Sequence, residues 1–451
     1  MNLTEGDIKE HVKNIAIPAS VGFFFSTMFN IVDTFFAGQI STDALASLSI
    51  SFPIFFIILA FSQGVSTGAS ALISNALGAN LFKEAQSFKA QCISYGCICS
   101  LIATTVGLLV SPPLFEILGA SGHYLELALS YINIIFLGSV FFLLNSAANA
   151  ILLAHGNSKT MRNVLIIGFL LNCLLDPLLL YGGLGIPPLG LRGIALATVL
   201  GMIVSCTYIV IRVVVEGHLK GCSFSDFIPN RRVFYLITQQ SLPAAVNMMS
   251  IALGIFVVTF YVKGFGSESV AAYGIGMRIQ QIFLLPTIGI TIAVLSIIGQ
   301  NNGASRFDRI EESMSISLKY GNRVMTVGAV LMFFFPELLM GVFTEEKNVI
   351  ADGVTYLRVA SLCSWGYLMM SVYVSALQGM KRPNFPFILT MIRQIFLPIV
   401  VFYVVIHFFN LGIISLWISI LMITWTAALV LYLYTRYLLR HEKERTQEVK
   451  K

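Results

Sequence analysis

Two carboxylates stand inside long apolar segments, where an ionisable side chain is costly and by default indicates function. Asp33 lies in the mostly apolar stretch 23–36, with no basic residue within two helical turns. Asp176 lies in the mostly apolar stretch 165–180. In surroundings of low dielectric, burial and like charge oppose the ionisation of both groups, so such a pair holds a proton or binds a small cation. The two residues therefore predict proton or cation chemistry inside a membrane.

Amide and hydroxyl side chains accompany both carboxylates. Asn172 precedes Asp176 by four residues, which places the two on one face of a helix. Asn30 lies about one helical turn before Asp33. If the first and fifth predicted helices face each other, two carboxylates and two amides share one pocket. Thr198, in a later apolar stretch, would add a hydroxyl group.

Other polar residues inside apolar segments allow two interpretations each. Asn145 and Asn149 are four residues apart, so they either contact a substrate or join neighbouring helices by hydrogen bonds. Arg278, Gln280 and Gln281 precede an apolar run in the later part of the chain. They either line a cavity there or mark a hydrated part of a helix.

The composition is that of a membrane protein. The chain has 451 residues, of which 57% are hydrophobic and 11% are charged, whereas a soluble domain has roughly 25% charged residues. Apolar runs long enough to cross a hydrocarbon core of ~30 Å as helices recur along the whole chain. We predict an all-α polytopic membrane protein with twelve transmembrane helices, at residues 14–38, 46–77, 90–112, 124–154, 162–182, 192–215, 234–263, 268–300, 317–336, 350–378, 384–409 and 412–437.

The basic residues alternate between the predicted loops. Because cytoplasmic loops carry an excess of Lys and Arg, this alternation predicts that both termini are cytoplasmic, and an even number of spans agrees. The net charge of +6 follows from this distribution and does not indicate nucleic-acid binding. The residues on the cytoplasmic side are Lys9, Lys13, Lys83, Lys89, Lys159, Arg162, Lys220, Arg231, Arg232, Arg306, Arg309, Lys319, Lys381, Arg382 and the tail from Arg436.

The sequence contains an internal repeat with an offset of 225 residues. Pro18 matches Pro243, and residues 77–82 match residues 302–307. Six spans separate the copies, so both have the same orientation. This is the parallel-repeat plan of alternating-access transporters, with two six-helix lobes related by a pseudo-two-fold axis along the membrane normal. The expected domains are a first lobe at 1–215, a cytoplasmic linker at 216–233, a second lobe at 234–440 and a basic cytoplasmic tail at 441–451.

The repeat does not preserve the buried acids. Val258 occupies the position that matches Asp33, and residues 395–401, which match the region of Asp176, contain no acid. The buried carboxylate chemistry is therefore expected in the first half alone.

Motifs of several other classes are missing from the sequence. We find no phosphate-binding loop, no HExxH or GxSxG motif and no paired-cysteine metal site, and the predicted loops are too short for a soluble enzyme domain. The seven cysteines are scattered and do not suggest a disulfide framework. We therefore expect no enzyme activity and no cofactor. Transport would be driven by an ion gradient or would run downhill.

The order and spacing of these residues resemble the multidrug and toxic compound extrusion (MATE) transporters over essentially the whole chain. The chain is most similar to the DinF-like branch, whose acids lie in the amino-terminal lobe. The NorM-like branch has further carboxylates in the second lobe, where this chain has Val258. The residues that carry the resemblance are Pro18, Asn30, Asp33, Gly38, Ala44, Ala46, Pro53, Leu77, Gly78, Ala79, Asn172, Asp176, Pro177, Gly193 and Thr198.

The resemblance implies a V-shaped, two-lobed exporter that exchanges cytoplasmic drugs for inward protons or sodium ions. The residues that it assigns to cation coupling are Asp33, Asn172, Asp176 and Thr198. The residues that it places in the surrounding network or the substrate site are Asn30, Tyr131, Asn145 and Asn149. It also implies a hinge in the first helix at Pro18.

These observations lead us to expect a cation-coupled multidrug antiporter, with protons preferred over sodium, in the cell inner membrane. It would act as a monomer among membrane lipids, export amphipathic cationic or zwitterionic drugs or toxic metabolites, and bind no nucleic acid. The nearest alternative is a lipid-linked or polysaccharide flippase of the same superfamily. Such flippases commonly have more spans or a more basic cavity, whereas Arg278 and Arg393 are the deep basic residues here. A membrane-embedded enzyme or a channel is the more distant alternative.

Overall fold

The computed structural model describes residues 1–183 and 185–450, with the side chains of all of them except residues 42, 43, 447, 449 and 450. This described part is helical, and its β-structure is limited to an isolated bridge between Gly183 and Ile186. The first seven helices are α1 (Ile8–Ile40), α2 (Thr42–Gly78), α3 (Phe82–Ile117), α4 (Gly122–Leu137), α5 (Ser139–Ala154), α6 (Lys159–Tyr181) and α7 (Leu191–Val215). The remaining helices are α8 (Arg231–Val262), α9 (Ser267–Gly303), α10 (Phe307–Phe334), α11 (Pro336–Gly341), α12 (Lys347–Gly379), α13 (Asn384–Met391), α14 (Leu397–Tyr403) and α15 (Ile413–Lys450).

The predicted fold class is confirmed, because each of the twelve predicted spans coincides with one of these helices or with a broken pair of them. In the described part of the chain, ten helices are long and apolar enough to cross a membrane, or eleven if the bent pair α4 and α5 counts as one span. The predicted span at 317–336 lies in α10, which carries Lys319, Asn322 and Arg323 and is not among these helices. The protein is thus a multi-pass helical membrane protein.

The span predicted at 124–154 is not one straight helix. It consists of α4 and α5, which meet at Gly138 with a bend of 42°. At this position a Cβ atom would lie 2.5 Å from Cγ2 of Val199 on α7, so glycine allows the close approach. The Thr104 hydroxyl donates a hydrogen bond of 2.7 Å to the carbonyl of Phe136, which precedes the break.

The span predicted at 384–409 is also irregular. Between α13 and α14 the chain makes a π-helical turn, Ile392–Phe396, and a second one follows at Val404–Phe408. Pro398 lacks the N–H group that would bond the carbonyl of Gln394 in a regular α-helix. The preceding residue, Leu397, donates its N–H group to the carbonyl of Ile392, which lies five residues back and not four as in a regular α-helix.

Two compact units divide the chain. The first comprises Met1–Asn2 and Val21–Ala245, and the second comprises Leu3–Ser20 and the chain from Val246 onward. Helices α1 and α8 are each divided between these units. Each division falls two residues after a proline of the repeat, Pro18 in α1 and Pro243 in α8.

In the first unit, the start of α8 packs closely on α2. A Cβ atom on Gly64 would lie 2.6 Å from the backbone oxygen of Ser241 and 2.6 Å from Cβ of Ala245. Gly68 contacts the backbone of Ser241 equally closely. Glycines are therefore required where these two helices touch.

In the second unit, the start of α1 packs on α9 in the same way. A Cβ atom on Gly289 would overlap the Ser20 hydroxyl and the backbone oxygen of Ala16. Gly289 follows Gly64 by 225 residues, which is the offset of the sequence repeat. The same helix contact thus occurs once in each unit.

The segment before α1 is held by the second unit. The Leu3 N–H group donates to Oε1 of Gln300 at 2.8 Å, and Nδ2 of Asn301 donates to the Leu3 carbonyl at 3.1 Å. Arg309 donates to the carbonyl of Gly6 at 3.1 Å. These bonds attach the beginning of the chain to the last turn of α9 and the first turn of α10.

Candidate cation site

Asp33, Asn172 and Asp176 meet inside the first unit. Nδ2 of Asn172 donates a hydrogen bond of 2.8 Å to Oδ1 of Asp33 and one of 3.1 Å to Oδ1 of Asp176. The exposed fractions of these three residues are 8%, 1% and 0%. The carboxyl groups also lie within hydrogen-bonding reach of each other. Helix α1 thus supplies one carboxylate, and α6 supplies the other with the bridging amide.

Thr198 on α7 completes the contacts of Asp33. Its hydroxyl lies 3.5 Å from Oδ2 of Asp33 and 3.0 Å from the carbonyl of Ile194. A hydroxyl carries one hydrogen, so it can donate to only one of these oxygens at a time. The shorter distance favours Ile194. Oδ2 of Asp33 then has at most a weak hydrogen bond.

The site has more acceptor atoms than donors. Oδ2 of Asp176 and Oδ1 of Asn172 are both buried without a hydrogen-bond partner. Neither carboxylate forms an ion pair with a Lys, Arg or His side chain that the structure describes. A buried acceptor without a donor, and a buried charge without a counter-charge, are both costly. One proton shared by the carboxyl groups, or one small cation among these oxygens, would remove both costs.

The close approach of α6 and α7 positions Thr198. A Cβ atom on Gly193 would lie 2.5 Å from the backbone oxygen of Leu179, one turn after Asp176 on α6. Thr198 lies five residues further along α7 and is buried. Glycine at position 193 therefore brings the hydroxyl of α7 to the carboxylates.

Tyr131 lies within electrostatic range of the acids, whereas the two asparagines of α5 form no hydrogen bond to them. Tyr131 on α4 is buried, and the charges of Asp33 and Asp176 act on its hydroxyl. Asn149 donates to Sδ of Met161 at 3.5 Å. The amide oxygens of Asn145 and Asn149 are buried without partners.

The side chain of Asn30 forms no hydrogen bond with Asp33 or Asp176 in the described structure. Its side chain is exposed and donates a hydrogen bond of 2.8 Å to the carbonyl of Ser26, within its own helix. The pocket therefore contains one amide, that of Asn172, where the spacing predicted two. Pro18 is buried in the part of α1 that belongs to the second unit.

Among the residues of the second unit that the structure describes, no acid site matches this one. Val258, at the position that matches Asp33, is 8% exposed and belongs to an apolar cluster. Gln280 is buried, and its Oε1 accepts a hydrogen bond of 2.8 Å from the Tyr356 hydroxyl. Arg278 and Gln281, by contrast, are exposed. Gln280 therefore joins α9 to α12, and these residues do not converge on one site.

Sequence reasoning missed a second buried polar cluster in the first unit. Nδ1 of His155 donates to the carbonyl of Ile151 at 2.8 Å, so its Nε2 can accept a hydrogen bond from Nζ of Lys89 at 3.3 Å. The His155 and His218 rings lie 4.0 Å apart, and Nε2 of His218 contacts Glu216 at 3.0 Å. These residues are far apart in the sequence, and no spacing signal connects them.

This cluster predicts acid sensitivity of the fold. Burial first, and the Lys89 charge second, lower the pKa of His155 to about 3, against about 6.5 in an unfolded chain. A histidine with a lowered pKa stabilises the fold above its unfolded pKa, and this contribution is lost as the pH falls toward the folded value. We expect stability to fall by up to about 1.4 kcal/mol per pH unit below about pH 6.5 because of His155.

Thermal unfolding in detergent between about pH 7 and about pH 5 checks this expectation. His155→Gln should flatten the pH dependence. His123→Gln, at an exposed histidine on α4, should leave it unchanged. Equal pH dependence in the wild type and His155→Gln would contradict the prediction.

Apolar spans, a parallel internal repeat and a buried acid pair define a helical membrane transporter. The MatE family model matches residues 18–178 and 243–404, and the chain belongs to this family. The predicted resemblance to MATE transporters is thereby confirmed. Both matched segments begin at a proline of the repeat, Pro18 or Pro243.

Named relatives match most of the chain. A protein named probable multidrug resistance protein YoeA, from Bacillus subtilis, is 24% identical over 84% of this chain and 83% of its own. A protein named FAD transporter, from Shewanella oneidensis, is 25% identical over 85% of each chain. A solved structure of a MOP superfamily transporter from Pyrococcus furiosus is 24% identical, with a TM-score of 0.90 over 98% of each chain. The structural match shows the same fold.

Proposed function

We propose that the protein is a cation-coupled antiporter that exports amphipathic cationic or zwitterionic compounds, with Asp33 and Asp176 as its coupling site. The observation that carries the proposal is the acid pair itself. Two carboxylates are buried together in apolar spans, bridged by Asn172, with two unpartnered acceptor oxygens. Such a site gains most from binding a positive charge.

A proton is the preferred coupling ion. One proton between the carboxyl groups removes the like-charge repulsion and supplies the missing donor without any movement of the site. Sodium is the alternative, because Oδ2 of Asp33, Oδ2 of Asp176, Oδ1 of Asn172 and the Thr198 hydroxyl offer four oxygens. A hard cation prefers oxygen ligands of this kind.

Coupling requires that the cation bind two conformations with different affinity. A ligand shifts an equilibrium only by its differential affinity for the two states. Pro18 is the proposed hinge, since it is buried in α1 two residues before that helix passes from the second unit to the first. Protonation of the pair would then favour release of the exported compound.

The relatives support the substrate class. They include proteins named for multidrug resistance and for FAD transport, so we propose small organic solutes as the cargo. Position 258 is a valine and not an acid, which supports placing the protein in the DinF-like branch. The proposed location is the cell inner membrane, with both termini cytoplasmic and the protein acting as a monomer.

Dye transport in proteoliposomes tests the coupling. A cationic dye is followed under a proton gradient, a sodium gradient or neither, each imposed separately on the purified protein. We expect the proton gradient to drive dye against its concentration gradient, and an ionophore that collapses the gradient to stop it. Dye movement that is equally fast without either gradient would contradict the antiporter proposal and favour a channel.

A further inference from the structure

A buried acid pair characterises the first unit, whereas a span of the second unit carries the cationic side chain of Arg393. Arg393 belongs to the π-helical turn between α13 and α14, in a segment long and apolar enough to cross a membrane. Its side chain is partly accessible. The guanidinium carbon lies 5.7 Å from the centroid of the Tyr367 ring on α12. A charged side chain within a membrane-spanning segment is energetically costly, which indicates that Arg393 has a function.

Arg393 has no counter-charge in the described part of the chain. The titratable side chains that act on it are those of Tyr367 and Cys363, both on α12 and both neutral at neutral pH. A guanidinium carries five N–H donors in a planar fork and stays protonated in proteins. One aromatic ring and one hydroxyl cannot satisfy this fork. The remaining donors are available to a ligand.

A further polar group lies next to this arginine's aromatic partner. Thr424 on α15 is close to the Tyr367 side chain and is 0% exposed. Its hydroxyl oxygen has no hydrogen-bond partner of acceptable geometry. The hydroxyl of Thr424 and the guanidinium fork of Arg393 therefore both lie next to Tyr367.

The sequence repeat places the arginine on the helix that matches α6. Pro177 follows Asp176 directly on α6 and has no backbone N–H group to donate. Pro398 likewise lacks this group and lies two residues after the π-helical turn that carries Arg393. Single π-helical turns within α-helices are frequent at functional sites. The equivalent helices of the two units thus carry charges of opposite sign, each a few residues before a proline.

We propose that Arg393, with Tyr367 and Thr424 beside it, binds the carboxylate or phosphate group of a transported compound. This inference rests on the proposed export of small organic solutes and gives those that carry an anionic oxygen group a specific binding residue. Arginine suits this task because its planar fork matches carboxylate and phosphate oxygens. Zwitterions and amphipathic anions are then substrates, and a compound with a cationic group alone makes no use of Arg393.

Two dyes that differ in a single group provide the test. A rhodamine ethyl ester is a fixed monocation, and its free acid is a zwitterion with the same aromatic body. Binding to purified protein in detergent is measured for both by fluorescence anisotropy. We expect Arg393→Gln to weaken binding of the free acid roughly tenfold to a hundredfold and to leave binding of the ester unchanged. Arg393→Lys should recover part of the loss.

Arg323 offers a matched control. Its guanidinium lies 5.7 Å from the centroid of the Tyr320 ring, the same distance as in the Arg393 pair, but its side chain is exposed. Arg323→Gln should leave the binding of both dyes unchanged. Equal binding of the free acid by wild type and Arg393→Gln would overturn the proposal. Equal weakening of acid and ester would overturn it too, since that result indicates a structural role.

A separate probe keeps this inference distinct from the export proposal. Naphthoate, a small aromatic carboxylate, should raise the unfolding temperature of the wild type and not that of Arg393→Gln. If neither dye binds the wild type but this shift is present, the drug-export proposal fails and the anion site stands. If naphthoate produces no shift in the wild type, the anion site fails.

A lipid phosphate has the same chemistry, so the free-acid titration is repeated with added lipid. Displacement of the free acid by phosphatidylglycerol but not by phosphatidylcholine would assign Arg393 to lipid and overturn the substrate assignment. If neither lipid changes the binding of the free acid, the substrate assignment of Arg393 is supported.

Discussion

Replacing Asp176 with Asn should abolish gradient-driven dye efflux while the protein remains folded. The amide has nearly the shape of the carboxylate and can still accept the hydrogen bond from Asn172. It cannot, however, take up a proton or carry the negative charge that attracts a cation. We expect efflux below roughly a tenth of the wild-type rate, because losing the charge costs the site at least about 1.4 kcal/mol of cation-binding free energy. Asp33→Asn should have the same effect.

The double variant and an exposed acid serve as controls. If the two carboxylates act as one site, Asp33→Asn combined with Asp176→Asn should be no worse than either single change. Asp308→Asn changes a side chain that is 96% exposed and should transport dye like the wild type. Unfolding temperatures would show that the single variants fold. Wild-type efflux in both single variants would rule out the proposed coupling site.

Replacing Gly289 with Val should prevent the second unit from packing. Any Cβ atom at this position overlaps backbone and side-chain atoms of Ala16 and Ser20 on α1. Backbone atoms cannot rotate away as a flexible side chain can, so the two helices would have to separate. We expect a loss of about 3 kcal/mol or more in stability, at the upper end of the range for overpacked cores. The measurements are yield of monodisperse protein and unfolding temperature in detergent.

Another glycine of α9 gives the matched comparison. A Cβ atom at Gly274 would meet no atom within 4 Å, so Gly274→Val should fold like the wild type. Gly64→Val, at the equivalent contact in the first unit, should resemble Gly289→Val. Removing the opposing side chain with Ser20→Gly should partly rescue the milder variant Gly289→Ala. Normal yield and stability of Gly289→Val would show that α1 and α9 do not need this close contact.

The helix positions could be predicted from the sequence because apolar length alone determines which segments can cross a membrane. Prolines and glycines inside those segments were harder to interpret. Gly138 bends one span and Pro398 accompanies a π-helical turn in another, whereas Pro18 lies within a continuous helix. The difference depends on what each residue packs against, and hydropathy does not contain that information.

The acid site was partly predictable. Asn172 and Asp176 share a helix face by their spacing, and the family resemblance added Asp33 and Thr198. Asn30 was placed near Asp33 by its distance along the chain, but its side chain is exposed and bonds its own helix. The cluster of Lys89, His155 and His218 brings together three segments that no motif connects. Tertiary packing alone creates it.

The division of α1 and α8 between the units has a consequence for how the chain is built. Residues 3–20 belong to the unit formed mainly by the second half of the sequence, and residues up to 245 complete the unit formed by the first. The two halves have therefore exchanged their opening segments, as in a domain-swapped dimer joined into one polypeptide. The first unit therefore remains incomplete during synthesis until the opening turns of α8 have been made.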